Sequence, residues 1–166
     1  MSYEIHPDTP PQGVKLERLF APGYRHMQDG LATRCRELGL PFQTPAVLSN
    51  SRHAIEAAEF ARDAGLHPAF HRAVLAAFFA RSLDIGEVEV LRGIAKDVGL
   101  DGPALVDALA TGRYSGKRVA AEEEARTLGV TAVPTFIFEG AARVVGAQPL
   151  GYFQRLLGSM SAGESG

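Results

Sequence analysis

Cysteine has the most reactive side chain in this sequence, and the chain has only one, Cys35. A thiolate can act as a nucleophile or redox sensor, but exchange between a dithiol and a disulfide needs a second thiol, usually in a Cys-x-x-Cys motif. No such motif occurs in the 166 residues. Cys35 lies between Leu31 and Leu38 on a predicted helix, where a free cysteine usually packs as a small hydrophobic side chain. We therefore predict no internal redox centre and no catalytic residue.

The second chemical candidate is the proline in residues 129–140. Residues 135–138 have the β-branched and aromatic content of a short strand, and Glu139-Gly140 predicts a turn into a second strand over 142–145. A proline that opens a strand has no N–H to donate, which leaves the backbone groups of Val133 available to a peptide or a thiol cofactor. The alternative is an ordinary trans proline at the start of an edge strand, because the isomer cannot be read from the Val133-Pro134 dipeptide alone.

Other polar residues form no catalytic or metal-binding pattern. His67 and His71 are one helical turn apart and could share a metal, but the glutamate of a His-Glu-x-x-His motif is absent. We expect both to be surface histidines. The carboxylates have no spacing that demands paired acid-base chemistry, and glycine-rich phosphate loops are missing. These carboxylates are Asp29, Asp63, Asp84 and Glu87.

Composition predicts a globular chain with one main hydrophobic core. Hydrophobic residues make up 46% and charged residues 22%, and the net charge is -2 with a pI near 6.2. Neither nucleic acid nor an anionic membrane is an expected partner, because no Lys/Arg cluster is dense enough to make several phosphate contacts. The sequence shows no signal-peptide pattern and no run long enough to span a bilayer, so we expect a cytoplasmic protein if Met1 is the natural start.

Hydrophobic periodicity predicts a strand, a long helical middle, two strands and a last helix. The first strand covers residues 3–6, and a proline-rich exit covers 7–11. Helices are predicted over 24–38, from a cap at Asn50 or Ser51 to Gly65, from Pro68 past Phe78, over 88–98, from Asp101 to Gly112, over 114–128 and over 149–157.

Helical spacing also predicts which side chains are buried and which face water. Glu122, Glu123 and Glu124 should form a solvated acidic face, and residues 158–166 a disordered tail. The residues predicted to lie on apolar helix faces are Met27, Leu31, Cys35, Leu38, Ala54, Ala58, Ala61, Phe70, Val74, Ala77, Phe78, Val88, Leu91, Ala95, Val98, Leu105, Val106, Leu109, Leu150, Phe153, Leu156 and Leu157.

Residues 128–140, followed by 144–149 and Tyr152-Phe153, resemble the end of the DsbA-like branch of the thioredoxin superfamily. FrnE-type proteins are the most similar members, together with their relatives, the hydroxychromene carboxylate isomerases and kappa-class glutathione transferases. Residues 4–13 are similar to the second strand of that family and the loop that leaves it. Asn50-Ser51 resembles the cap of its helical insertion, and residues 77–86 with Val90-Leu91 resemble the middle of that insertion.

The resemblance implies an α/β, thioredoxin-like fold of the DsbA type. It implies a single domain over residues 1–157 with an inserted helical subdomain at about 14–112. Family members open with a strand, a Cys-x-x-Cys or serine-containing turn and a helix, which would precede Met1, so we expect the N-terminal β-α unit to be missing. The resemblance also implies a cis bond at Val133-Pro134 and a substrate-binding loop composed of Ala132, Val133, Pro134 and Thr135.

Three functions are compatible with this resemblance. The first is a DsbA/FrnE-like thiol-disulfide oxidoreductase family protein without redox activity in this chain. The alternatives are a noncatalytic protein-binding or assembly module that uses the proline loop, and a glutathione-dependent isomerase or transferase. We expect no cofactor other than glutathione. The missing strand would leave a hydrophobic vacancy, so the expected partners are a thiol-containing peptide or glutathione, and a second copy of the chain or another strand-complementing partner.

Overall fold

The computed structural model describes residues 4–16, 23–138 and 143–163. The chain divides into two compact units, Met1–Glu122 and Glu123–Gly166, which are considered separately below. The described residues form seven helices and four short strands. The helices are α1 (Gly23–Glu37), α2 (Arg52–Asp63), α3 (His67–Arg81), α4 (Val88–Asp97), α5 (Gly102–Ala110), α6 (Ser115–Thr127) and α7 (Leu150–Gly163). The strands are β1 (Val14–Lys15), β2 (Val47–Leu48), β3 (Thr135–Ile137) and β4 (Arg143–Val145).

The first unit contains a two-stranded antiparallel pair that the hydrophobic pattern did not predict. β1 pairs with β2, with Val14 opposite Leu48 and Lys15 opposite Val47. Gly13 precedes this pair with a φ of +67°, and a Cβ there would lie 2.7 Å from the carbonyl oxygen of Leu48. Only glycine combines that backbone conformation with so close an approach.

The strand predicted over residues 3–6 is wrong for residues 4–6, which adopt no regular secondary structure; Tyr3 lies outside the described residues. A local turn explains the difference. The carbonyl oxygen of His6 accepts hydrogen bonds from the backbone N–H of Thr9 at 3.1 Å and from its hydroxyl at 2.8 Å. The His6 carbonyl is therefore bonded to a residue three positions further along the chain, and it does not pair with a neighbouring strand.

Side chains also tie this N-terminal segment to the start of α2. Asn50 accepts a hydrogen bond from the backbone N–H of Arg52 at 3.1 Å and donates to the carbonyl of Thr9 at 2.7 Å. Arg52 in turn donates to the buried carboxylate of Glu4 at 3.2 Å and to the carbonyl of Pro7. Ser51 is the N-cap residue of α2 but makes no side-chain capping bond, and the Asn50 side chain accepts from the first helical N–H instead.

The core of the first unit is formed by α2, α3, α4 and α5. Phe70, Leu91 and Leu105 are its largest fully buried side chains. The small side chains of α2 allow its neighbours to approach closely, as the sequence predicted. Burial is confirmed for Ala54, Ala58, Ala61, Phe70, Val74, Ala77, Leu91, Ala95, Leu105 and Leu109. The other predicted core positions on these helices, Phe78, Val88, Val98 and Val106, are half-buried.

The predicted apolar stripe of α1 is not packed into this core. Leu31 is 40% exposed and Leu38 is 58% exposed, and Cys35 is half-buried instead of buried. The helix bounds agree with the prediction, because Gly39 follows α1 with a φ of +67°. The periodicity therefore identified the helix correctly but overestimated how much of its apolar face is covered.

The acidic run on α6 also differs from the prediction at one position. Glu122 is half-buried, because its carboxylate accepts a hydrogen bond from the guanidinium of Arg118 at 2.6 Å. Arg118 donates to Glu56 as well, at 3.1 Å. Glu123 and Glu124 are exposed, as expected. The run is thus a solvated face for two of its three members.

The second unit contains the β3–β4 hairpin and α7. Thr135 lies opposite Val145, and Phe136 lies opposite Val144, whose side chain is buried. The predicted turn at Glu139-Gly140 and residue Ala142 lie outside the described residues. Phe153 of α7 packs edge-on against Phe136, with ring centroids 4.8 Å apart.

Two features of α7 correct the sequence expectation. Leu150 is 72% exposed and Leu157 is also exposed, whereas both were predicted to be buried; Phe153 and Leu156 are half-buried. The helix continues to Gly163, so residues 158–163 are helical and not a disordered tail. Residues 164–166 lie outside the described part of the chain. None of the described helices combines the length and hydropathy needed to cross a membrane, and a cytoplasmic location stays a prediction.

Candidate functional site

The proline loop, residues 131–134, connects α6 to β3. Helix α6 ends at Thr127, and the backbone N–H of Val130 donates to the carbonyl of Ala125 at 2.8 Å. This bond belongs to the C-terminal closure of the helix and sets the direction in which the loop leaves it. The Val133–Pro134 peptide bond is cis.

The guanidinium of Arg143 fixes the start of the loop to β4. It donates to the carbonyl of Gly129 at 3.1 Å and also to the carbonyl of Leu128. The last carbonyls of a helix have no partner within it, and an arginine near the C-terminus satisfies them favourably. Sequence reasoning missed Arg143, because no local pattern connects this strand residue with the end of α6.

The end of the loop is fixed by two further hydrogen bonds. The hydroxyl of Thr135 donates to the carbonyl of Ala132 at 2.6 Å, and the backbone N–H of Gly146 donates to the carbonyl of Pro134 at 2.8 Å. The structure thus places the four residues of the sequence-predicted binding loop together as one turn leading into β3. Of their carbonyls, those of Ala132 and Pro134 are already engaged.

Val133 differs from its neighbours in this respect. Within the described part of the chain, neither its N–H nor its carbonyl has a hydrogen-bond partner, and its side chain is 52% exposed. An unpaired donor and acceptor on one residue can pair with an extended peptide in the manner of a strand. Among the four residues of the sequence-predicted loop, Val133 is the one whose N–H and carbonyl both have no partner in the described part of the chain; Thr131, just before them, has none there either.

The loop offers binding groups but no acid, base or nucleophile. Residues 128–138 contain no Asp, Glu, His, Cys or Lys. The neighbouring guanidinium of Arg143 is engaged with the carbonyl groups of Leu128 and Gly129. The exposed residues of the unit around the loop include four large apolar ones, Val133, Phe136, Ile137 and Val145, beside the exposed Thr131 and Arg143. Such a surface suits a peptide with apolar side chains.

The histidine pair lies on α3, in the first unit. The rings of His67 and His71 are stacked with centroids 5.6 Å apart, and a ring nitrogen of His67 lies 3.1 Å from the guanidinium of Arg62. Burial, together with the charges of Arg62 and His71, lowers the pKa of His67 below its ordinary value. Among the described residues no three His, Cys, Asp or Glu side chains could hold a metal together.

Two of the four acidic residues singled out in the sequence, Asp63 and Asp84, have side-chain hydrogen-bond partners. Asp63 accepts hydrogen bonds from Lys117 at 2.9 Å and from the hydroxyl of Tyr114 at 2.8 Å. These bonds hold the pKa of Asp63 below its ordinary value, and the bond to Asp63 raises the pKa of Lys117. Asp84 accepts from the backbone N–H of Gly86 at 2.9 Å. Their geometry is that of an ion pair and a turn.

Comparison with known proteins gives consistent results. A family profile for the DSBA-like thioredoxin domain matches residues 2–158. The uncharacterized protein YwbO of Bacillus subtilis is 29% identical over 161 residues, covering 95% of this chain and 78% of that protein.

Two solved structures resemble this one. A probable DsbA oxidoreductase from Streptomyces coelicolor superposes with a TM-score of 0.82 at 25% identity, covering 94% of this chain and 71% of that one. A 2-hydroxychromene-2-carboxylate isomerase superposes with a TM-score of 0.73 at 18% identity, covering 86% and 69%; at that identity only the fold is shared. These matches confirm the α/β thioredoxin-like fold of the DsbA type that the sequence resemblance implied.

Proposed function

Because the chain belongs to the DsbA-like thioredoxin domain family, we propose that it binds an extended, cysteine-containing peptide at the proline loop and does not turn over disulfides by itself. The observation that carries the proposal is Val133, an exposed residue whose N–H and carbonyl have no partner in the described part of the chain, whereas the carbonyls of Ala132 and Pro134 are engaged. A peptide would pair with these two groups as an added strand. Its nearest side chains would lie beside the exposed side chain of Val133.

The absence of turnover rests on the number of thiols in the chain. Reduction of a substrate disulfide removes two electrons from two thiols, and the reaction finishes when a second thiol attacks the mixed disulfide. Cys35 alone could form only a mixed disulfide, because the chain holds no other cysteine to resolve it. Redox chemistry by this chain would therefore require a thiol from another molecule.

We also propose that the β3–β4 hairpin is covered by a second copy of the chain or by a strand-complementing partner. Two-stranded hairpins are marginally stable alone in water. Phe136, Ile137 and Val145 are exposed, and among the described residues β3 pairs only with β4. Sedimentation equilibrium of the purified chain should show a dimer or, with a partner, a defined complex; a stable monomer without a partner would contradict this proposal.

Replacing Val133 by aspartate tests peptide binding. The carboxylate would have to lose water when apolar peptide side chains pack against it, which costs free energy, so we expect about tenfold weaker binding. The measurement is fluorescence anisotropy of a labelled, extended peptide with one cysteine. Val119→Asp is the matched control, because Val119 is 50% exposed and lies on α6, outside the loop. Equal binding by both variants and the parent would refute the proposal.

Turnover is tested by reduction of insulin with the purified chain. We expect none above background. Insulin reduction that persists in Cys35→Ser without an added thiol protein would show a redox centre other than Cys35 and would contradict the proposal. A glutathione titration tests the alternative of a glutathione-dependent isomerase or transferase. That alternative would be favoured if the parent bound glutathione but no peptide, and if Val133→Asp lost glutathione binding.

A further inference from the structure

The first unit contains an open groove that lies apart from the proline loop in the sequence. It has a volume of about 440 Å³ and runs between α1, residues 40–42 and α3. Clefts that hold small molecules have volumes of about 300–1,000 Å³. The residues that line it are Leu31, Cys35, Leu40, Pro41, Phe42, Arg72, Leu75, Ala76, Phe79 and Ala80.

The wall of the groove is fixed to both helices. The backbone N–H of Leu40 donates to the carbonyl of Cys35 at 2.8 Å, and that of Gln43 donates to the carbonyl of Phe79 at 2.7 Å. The rings of Phe42 and Phe79 stack with centroids 6.4 Å apart. The groove is therefore pre-formed, and a ligand would not have to order its wall on binding.

The lining is apolar except for one cation and one thiol. Leu31, Leu40, Leu75 and Phe79 are all exposed, so a hydrophobic ligand would remove much apolar surface from water. Among the described residues that line the groove, Arg72 is the one that carries a charge. Its guanidinium has no hydrogen bond or ion pair with any residue that the structure describes. Several other arginines of the unit do form ion pairs with carboxylates.

The surrounding charges favour an anion at Arg72. Helix α3 carries no acidic residue, and residues 38–46 carry no charge. The carboxylates of α1, Asp29 and Glu37, do not line the groove, and Glu37 is paired with Arg34 at 3.1 Å. A guanidinium presents a planar fork that matches a carboxylate with two parallel hydrogen bonds.

We propose that this groove binds a single-chain amphipathic carboxylate of the fatty-acid class. The alkyl chain lies against Leu31, Leu75 and Phe79, and the carboxylate pairs with Arg72. Binding is noncovalent, and it is independent of the peptide binding proposed for the loop.

Cys35 provides the reporter for this site, because it lines the groove and is the only thiol of the chain. Its rate of reaction with uncharged N-ethylmaleimide is measured with increasing decanoate, below the concentration at which decanoate forms micelles. We expect saturating decanoate to slow labelling at least tenfold. Decyltrimethylammonium, which has the same chain and the opposite charge, should need at least about tenfold more ligand for half-protection. Calorimetric titration of decanoate into the parent chain gives the affinity directly.

Two variants separate the cation from the apolar wall. Arg72→Gln should raise the decanoate concentration for half-protection about tenfold, because a charge-assisted pair is lost. Leu75→Gln, at an exposed lining position, should also weaken protection. Arg81→Gln is the matched control, since Arg81 lies on the same helix but outside the groove, and it should behave as the parent.

Three outcomes would overturn the proposal. The first is labelling that decanoate does not slow. The second is equal protection by the anionic and cationic amphipaths, or by Arg72→Gln and Arg81→Gln. The third is protection by an acidic, apolar peptide under conditions where decanoate gives none, which would make the groove a protein-docking surface.

Discussion

At the level of single residues, the proline loop depends on Val133 for its free backbone groups and on Arg143 for its position. The sequence predicted unpaired backbone groups at Val133, because a proline that opens a strand has no N–H to donate, and in the described part of the chain those groups have no partner; that Val133 binds a peptide stays a prediction. The sequence was not sufficient to identify Arg143. The bonds of Arg143 join residues 14 and 15 positions apart, and they exist only because β4 passes the end of α6.

Replacing Arg143 by glutamine tests this positioning role. Both bonds to the helix carbonyls are lost, but water can replace them in part because they are exposed. We therefore expect a loss of about 1 kcal/mol in the free energy of unfolding. Urea denaturation followed by circular dichroism measures it.

Arg126→Gln is the control for Arg143→Gln. Arg126 makes only an exposed ion pair with Glu123 at 3.5 Å, and such pairs contribute about 0–1 kcal/mol. If the two variants unfold at the same urea concentration, Arg143 does not fix the loop.

At the level of elements, periodicity and caps located the helices of the first unit well. The prediction of a cap at Asn50 or Ser51 agrees with the N-cap at Ser51, and the predicted cap at Asp101 and stop at Gly39 lie where the structure has them. The strands β1 and β2 were missed because two residues are too few to show an alternating pattern. Burial on α1 and α7 was overestimated, since an apolar stripe shows which face can be covered and not whether anything covers it.

The cap of α5 gives a prediction at this scale. The Asp101 carboxylate accepts a hydrogen bond from the backbone N–H of Ala104 at 2.9 Å, and α5 places Leu105 and Leu109 in the core. Asp101→Ala should lower the free energy of unfolding by about 1 kcal/mol, whereas Asp101→Asn should keep most of it, because asparagine caps about as well. Thermal unfolding distinguishes them. Asp107→Ala, at an exposed position of the same helix, is the control, and a neutral effect of Asp101→Ala would contradict the capping role.

At the level of the whole molecule, the ion pairs of the first unit make its stability depend on pH. Asp63 is held by Lys117 and Tyr114, which come from a part of the chain more than fifty residues away. The sequence contained no sign of this cluster, because its members approach only after α2 and the start of α6 have packed. Charge composition gives the net charge of -2 but does not show which charged side chains meet in the folded chain.

Asp63 should contribute to stability in a defined range of pH. Its folded pKa lies below the ordinary value of 3.8, first because of the hydrogen bond from Lys117 and then because of that from Tyr114. A lowered folded pKa means that the contribution is present above 3.8 and is lost as the pH falls through the folded value. Asp63→Asn should therefore flatten the decline of the thermal midpoint in this acid range, relative to the parent.

We expect the same cluster of Asp63, Tyr114 and Lys117 to make stability fall at alkaline pH as well. Burial and the bond to Asp63 raise the pKa of Tyr114, and the bond to Asp63 raises that of Lys117. Raised folded pKa values give stability that is lost as the pH rises through them. Asp107→Asn serves as the control at both limits, and an unchanged pH profile for Asp63→Asn would exclude the cluster as a source of this dependence.

Residues 4–10 contain neither helix nor strand, yet the side chains of Asn50 and Arg52 hold the segment at Thr9, Glu4 and Pro7. A protease binds its substrate in its own active-site cleft as an extended backbone segment that is free of other contacts. Here it would first have to break those anchors and uncover the Glu4 carboxylate. We therefore expect residues 4–10 to resist proteolysis although they contain no regular secondary structure.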